Sequence, residues 1–275
     1  GVAFTGSTAV ARAINRTLAA KDGPIVPLIA ETGGINAMIV DATALPEQVT
    51  DDVIMSAFRS AGQRCSALRL LCVQEDVAER QLTMIEGAAQ ELRIGDPRDL
   101  ATQVGPVIDA EARDNLENWV AGKEASGAVR FRLSGAPPAG GTYVAPTIIE
   151  IKSARDLKDE VFGPVMHVVR WRAGKLDDLL ADIADNGTAL TLGIHSRIDA
   201  TAERVAERLT NGNVYVNRNM IGAVVASQPF GGSGLSGTGP KAGGPHYLSR
   251  FALEQVVTVN TAAAGGNAGL LSAED

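Results

Sequence analysis

The chain has 275 residues, 45% of them hydrophobic and 21% charged, with a formal net charge of -7. That acidic, ordinary globular balance argues against a nucleic-acid-binding surface and against a polybasic membrane patch. No apolar run approaches the roughly 18 residues needed to span a bilayer, and two cysteines cannot build a disulfide framework, which fits a reducing, cytoplasmic setting.

In chain order, VAF at residues 2–4 reads as a strand, and TGST as a turn in which Ser7 or Thr8 caps a helix. Val10, Ile14 and Leu18 recur on one helical face, and Gly23-Pro24 stops it. PIVPLIA is a short apolar run, expected as a buried parallel strand running into ETGG. Val49, Val53, Ala57 and Ala61 mark a second helix ending near Gly62, followed by the strand LRLLCV. Val77 to Leu92 carry a third helix, and Leu116 and Val120 lie on a fourth. YVAPTIIEI and PVMHVVRW read as strands with DEVFG between them. A helix over 176–184, the strand TLGIHS, a helix around Ala202 to Leu209 and the strand NVYVN follow. Strands alternating with helices predict an α/β fold with parallel pairing. From Arg218 to Pro245 the periodicity stops in a long glycine-rich loop, a length that usually signals function. A last helix near 246–253, the strand QVVTVN and a flexible or partner-ordered tail close the chain. The sequence opens inside a strand-to-helix unit, so it is expected to be the back part of a longer protein.

Within the glycine-rich loop, Gly232, Gly234 and Gly237 fit the pattern G-x-G-x-x-G. That motif holds a pyrophosphate only where it joins a strand to a helix N-terminus. QPF precedes it and no periodic helix follows, so the glycines are expected to serve turns and close backbone approach. The three histidines, His167, His195 and His246, lack metal-ligand spacing, and no metal is expected.

The two cysteines differ in setting. Cys72 lies inside LRLLCV and reads as core. Cys65 lies in the polar stretch GQRCSA, where the neighbouring Arg64 suggests a stabilised thiolate. Glu31 stands at the end of an apolar strand, where α/β folds place ligands, and Glu160 stands between two strands. Each glutamate alone reads as a solvated loop carboxylate. Together with Cys65 and the glycine-rich loop they suggest one cleft.

FTGST, ETGG, GQRCSA, EVFGP and QPFGGSGLSGTG occur here in the order and at the spacing of the aldehyde dehydrogenase superfamily, which the chain resembles from Gly1 to about Asn260. FTGSTAVARAINRTLAAKDGPI, LIAETGG and NRNMIGAVVASQPFGGSGLSGTGPKAGG look like the glutamate-semialdehyde (pyrroline-5-carboxylate) dehydrogenase branch, and most like its form in bifunctional proline utilization A proteins. The resemblance implies a three-layer α/β catalytic domain over 32–230, the tail of a Rossmann-like NAD-binding domain over 1–31, and an interdomain return with an oligomerisation flap over 231–275. It implies NAD as cofactor, with FAD confined to a proline dehydrogenase domain upstream, and a homo-oligomer. Cys65 matches the nucleophile and Glu31 the general base, the alternative for Glu31 being a structural carboxylate. Glu160 matches the ligand of the nicotinamide ribose, Phe162 the ring beside the nicotinamide, and Gly6 and Ser7 the turn facing the pyrophosphate. Gly222, Ala223 and Phe230 match the aldehyde-anchor loop, and Ser66 stands ready to bind the same substrate carboxylate.

Family members also carry upstream residues absent from this sequence, among them an oxyanion-hole asparagine and a ribose-binding lysine. The isolated segment is therefore expected to be weak or inactive. Two alternatives stay open: a noncatalytic assembly module, and a dehydrogenase of another aldehyde, such as a general or succinate-semialdehyde enzyme.

Overall fold

The computed structural model describes residues 1–135, 138–224, 226–260, 269 and 272. Its centre is a seven-stranded sheet built from β3 (Ala37–Val40), β4 (Leu70–Gln74), β5 (Val129–Arg132), β6 (Thr147–Glu150), β7 (Val165–Trp171), β9 (Thr191–His195) and β10 (Asn213–Val216), in the order β10-β9-β3-β4-β7-β6-β5. Every pairing is parallel except β5 with β6. The central strands are apolar on both faces because helices cover both: Met38, Ile39, Leu70, Leu71 and Cys72 are all buried. Cys72 is thus core, as its sequence setting predicts.

The helices α2 (Pro46–Phe58), α3 (Glu75–Gln90), α4 (Ala110–Ala125), α5 (Leu176–Ala184) and α6 (Asp199–Arg208) alternate with these strands. Their starts follow local chemistry. Pro46 opens α2, where its missing N–H costs nothing. Asp109 caps α4 by accepting from Ala112 N.

A separate two-stranded parallel sheet pairs β1 (Val2–Gly6) with β2 (Leu28–Thr32) around α1 (Thr8–Ala20). Ser7 caps α1, its Oγ accepting from Val10 N at 3.3 Å. Four residues after β2 the chain enters β3, so the connection 33–36 bridges the two sheets.

The structure corrects four expectations. Glu31 lies within β2 and does not follow it. Neither β3 nor β5 was foreseen; the arginines of β5 are satisfied laterally, Arg130 by Glu79 at 2.6 Å and Arg132 by Glu124 at 3.1 Å. The glycine-rich loop is not free of pairing, since β11 (Ser233–Gly234) runs antiparallel to β8 (Thr188–Ala189). Over 246–260 the described residues form a short 3-10 turn, Leu248–Phe251, in place of the expected helix, and QVVTVN makes no strand. A strand needs a partner edge, and Val256, Val257 and Val259 remain exposed. The expected tail, 261–275, falls almost entirely outside the described residues.

Candidate active site

The two sheets meet with opposite ends. Glu31 stands near the carboxyl end of β2, whereas Cys65 and Glu160 precede β4 and β7, at the amino edge of the larger sheet. Between them lies a cavity of about 630 Å³. Cys65, Glu31, Glu160 and Phe162 line it, together with Gly6 and Ser7 from the start of α1 and Phe230 from the glycine-rich segment. Ser66, Gly222 and Ala223 do not line it. Ser66 is buried, and its Oγ lies 3.4 Å from Gly222 N, which donates to it. Of the expected anchor-loop residues, Phe230 lines the cavity, while Gly222 is tied to the nucleophile loop through Ser66.

The loop carrying Cys65 is aimed by an unusual backbone. Ser60, Ala61 and Gly62 all take positive φ, 56°, 52° and 63°. Only glycine fits at position 62, where a Cβ would lie 2.1 Å from Gly163 O. Buried polar side chains then hold the loop. Asn36 Nδ2 donates to Cys65 O at 2.6 Å and to Ala67 O at 2.9 Å, while Thr191 Oγ1 donates to Ser66 O at 3.2 Å. Neither residue carries a motif signal; a buried asparagine just past ETGG is legible only once its partners are known.

The thiol is not the stabilised thiolate that Arg64 suggests. Burial raises the Cys65 pKa, and the carboxylates of Glu160 and Glu31 add to the rise, opposed by the Ser66 and Cys65 N–H groups. Arg64 turns away: its Nε donates to Ser60 Oγ at 3.1 Å, and its Nη1 lies 3.7 Å from the position of a Cβ on Gly222. Cys65 therefore rests as a thiol. Glu31 is pushed up to about 7 by burial, against a hydrogen bond from Gly232 N at 2.9 Å and the charge of Lys241. Its Oε1 is buried with no partner. A carboxylate poised near neutrality with an unused oxygen is equipped to take a proton from water.

Glu160 is held from two sides. Arg69, wholly buried, donates to its Oε1 from Nη2 at 3.2 Å, and Gly34 N–H donates as well. A Cβ on Gly33 would lie 2.1 Å from Glu160 Oε2 and displace that carboxylate from its place. Burial raises the Glu160 pKa, with Arg69 opposing. Arg69 carries no motif signal within LRLLCV, and its burial follows only from the folded structure.

The cavity fits a dinucleotide's nicotinamide half. The ring of Phe162 stays 45% exposed beside it, a flat apolar surface next to a carboxylate able to accept from hydroxyls. The N-terminus of the 13-residue helix α1 offers N–H groups and a favourable dipole to phosphate oxygens. Among the described residues no cluster of metal-ligating side chains occurs and no helix is long and apolar enough to cross a membrane.

Known proteins resemble the chain in sequence and in fold. The Bifunctional protein PutA of Klebsiella aerogenes is 56% identical over 260 residues, covering 91% of this chain and 20% of its own length. The 1-pyrroline-5-carboxylate dehydrogenase of Geobacillus sp. (strain WCH70) is 36% identical over 90% of this chain and 48% of its own. The chain thus spans about a fifth of the PutA relatives and about half of the 1-pyrroline-5-carboxylate dehydrogenases. Among solved structures, Bradyrhizobium japonicum Proline Utilization A superposes with a TM-score of 0.91 at 66% identity, over 96% of this chain and 27% of that one. A 1-pyrroline-5-carboxylate dehydrogenase from Thermus with bound NAD gives 0.84 at 31% identity, over 90% of this chain and 48% of that one. The aldehyde dehydrogenase family model matches residues 1–257, and this chain belongs to the aldehyde dehydrogenase family.

Proposed function

We propose that the full natural protein containing this segment oxidises L-glutamate γ-semialdehyde to L-glutamate, the second step of proline catabolism, with NAD as oxidant. The observation that carries the reading is the convergence of Cys65, Glu31, Glu160 and Phe162 on one cavity, joined to likeness with PutA and 1-pyrroline-5-carboxylate dehydrogenases.

The Cys65 thiol loses its proton to solvent, and the sulfur attacks the aldehyde carbon to give a thiohemiacetal. NAD, when bound, supplies the hydride acceptor that turns this adduct into a thioester. Glu160 would hold the nicotinamide ribose, Phe162 the nicotinamide face, and Gly6 and Ser7 the pyrophosphate. Glu31 then takes a proton from water, the resulting hydroxide attacks the thioester carbonyl, and the product carboxylate leaves as the Cys65 sulfur is released. Gly232 N keeps one oxygen of Glu31 engaged at 2.9 Å, leaving the other for the water.

Substrate choice rests on the anchor loop. Phe230 offers the cavity an apolar wall; Ala223 N–H, and Gly222 N–H and the Ser66 hydroxyl once they give up their mutual hydrogen bond, would hold the substrate carboxylate. The guanidinium of Arg64 beside Gly222 adds a positive charge at that end. Each charged hydrogen bond lost by a simple alkyl aldehyde costs about 1.5–3 kcal/mol. By the same reading the full protein carries a flavin-dependent proline dehydrogenase upstream, works as a cytoplasmic homo-oligomer, and draws further site residues from outside this chain, so that the segment alone is a weak enzyme.

The test is NADH formation by the full protein with glutamate semialdehyde and with butanal. The expected kcat/KM ratio favours the semialdehyde by about 10²-fold or more. Equal values refute the anchor assignment, and no NADH with either aldehyde refutes the dehydrogenase reading.

A further inference from the structure

Arg69 is the largest fully buried side chain among the described residues and is 0% exposed. A guanidinium out of water is costly unless each donor has a partner, and its partners fall in two separate loops. On one side, Nε and Nη2 donate to Glu160 Oε1 at 3.4 and 3.2 Å, and Nη1 donates to Gly163 O at 3.1 Å. The same group lies 5.0 Å from the centroid of the Phe162 ring. On the other side, Nη2 donates to Arg64 O at 3.1 Å, the carbonyl immediately before Cys65. The backbone of Arg69 is fixed as well, its N donating to Asn36 O at 3.0 Å and its O accepting from His167 N at 2.8 Å.

We propose that Arg69 is a positioning residue: its buried guanidinium locks the Glu160–Gly163 loop to the Cys65 loop, and so sets where a nicotinamide ribose sits relative to the thiol. The assignment rests on the dehydrogenase reading above. The fork geometry is what the task needs, because a planar guanidinium reaches a carboxylate and two carbonyls at once, whereas a lysine ammonium in the same place is a single point charge. The Cys65 loop has independent supports in Asn36 and Thr191. The 160–163 loop has fewer, so loss of the fork falls mainly on Glu160 and Phe162.

The experiment uses the full natural protein with Arg69→Lys, Glu160→Gln and the double variant. Three quantities are read: KM for NAD in NADH formation, the Kd of NAD by calorimetry, and NAD-free hydrolysis of p-nitrophenyl acetate, which needs only the thiol and its base. R69K is expected to raise the KM and Kd of NAD about tenfold or more, while ester hydrolysis falls no more than about threefold. E160Q is expected to weaken NAD similarly, and the double variant to be no worse than the weaker single. Ester hydrolysis and NAD binding falling in parallel in R69K would show a merely structural role and overturn the proposal, as would unchanged NAD binding or additive effects in the double variant. A parent protein that binds NAD yet makes no NADH defeats the dehydrogenase reading while leaving the Kd comparison to decide the role of Arg69. One that binds no NAD defeats both.

Discussion

Replacing Glu31 by Gln separates the two halves of the proposed chemistry. With its pKa near 7, Glu31 is about one-eleventh ionised at pH 6 and about ten-elevenths at pH 8, so base-dependent hydrolysis climbs roughly tenfold over that range. At the ordinary value of 4.5 the rate would be flat there. E31Q removes the base and is expected to lower steady-state turnover by about 10²–10⁴. It also removes one of the negative charges that raise the Cys65 pKa, so formation of the acyl-enzyme is not slowed and the thioester accumulates. Stopped-flow hydrolysis of p-nitrophenyl acetate by the full protein, without NAD, reads both effects. The E31Q protein should release a burst of roughly one nitrophenolate per site, followed by near-arrest. A wild-type rate that is flat between pH 6 and 8, or an E31Q steady rate within about threefold of wild type, refutes the assignment of Glu31 as base.

Cys65 should be alkylated by iodoacetamide more slowly than free cysteine at pH 7, with a rate still rising through pH 9, and Glu160→Gln should speed it; a plateau below pH 8 would mean a thiolate at rest. Gly62→Ala pushes a Cβ to 2.1 Å from Gly163 O at a φ of +63°; a loss of about 3 kcal/mol or more is expected in thermal unfolding, and an unchanged midpoint contradicts it. Burial holds His167 and His195 down at about 4. Between pH 6.5 and 4 the unfolded chain then binds more protons than the folded one, so stability falls as pH drops through that window. His167→Gln, which still offers Trp119 Nε1 an acceptor, should lose about 2 kcal/mol less than wild type between pH 7 and pH 5 in urea titrations followed by tryptophan fluorescence. Equal losses would sink that reading.

The α/β class was legible because its signals are local. The helix periodicities at 49–57 and 176–184 and the apolar run at 70–74 report burial directly, whereas the central strand β3 at 37–40 was not foreseen and Val10 on the first helix stays exposed. Ser7 was legible as a cap because capping is a three-residue event. β5 was not, because its arginines are neutralised by glutamates more than forty residues earlier and by others on α4. The last strand was over-read, because apolar alternation states a need for a partner and not its presence.

Sequence alone determined the cast of the site: which thiol lies in a polar turn, which two carboxylates stand near strand ends, and the order in which they come. Tertiary structure decided their chemistry. It set the carboxyl end of one parallel sheet against the amino edge of another, so residues 34 and 95 positions apart share a cavity. It also reversed the expected state of Cys65, since a pKa follows desolvation and nearby charge in space, and Arg64, next to Cys65 in the chain, points elsewhere. The guanidinium that matters is that of Arg69, buried where two loops meet, a place defined only when the chain has folded.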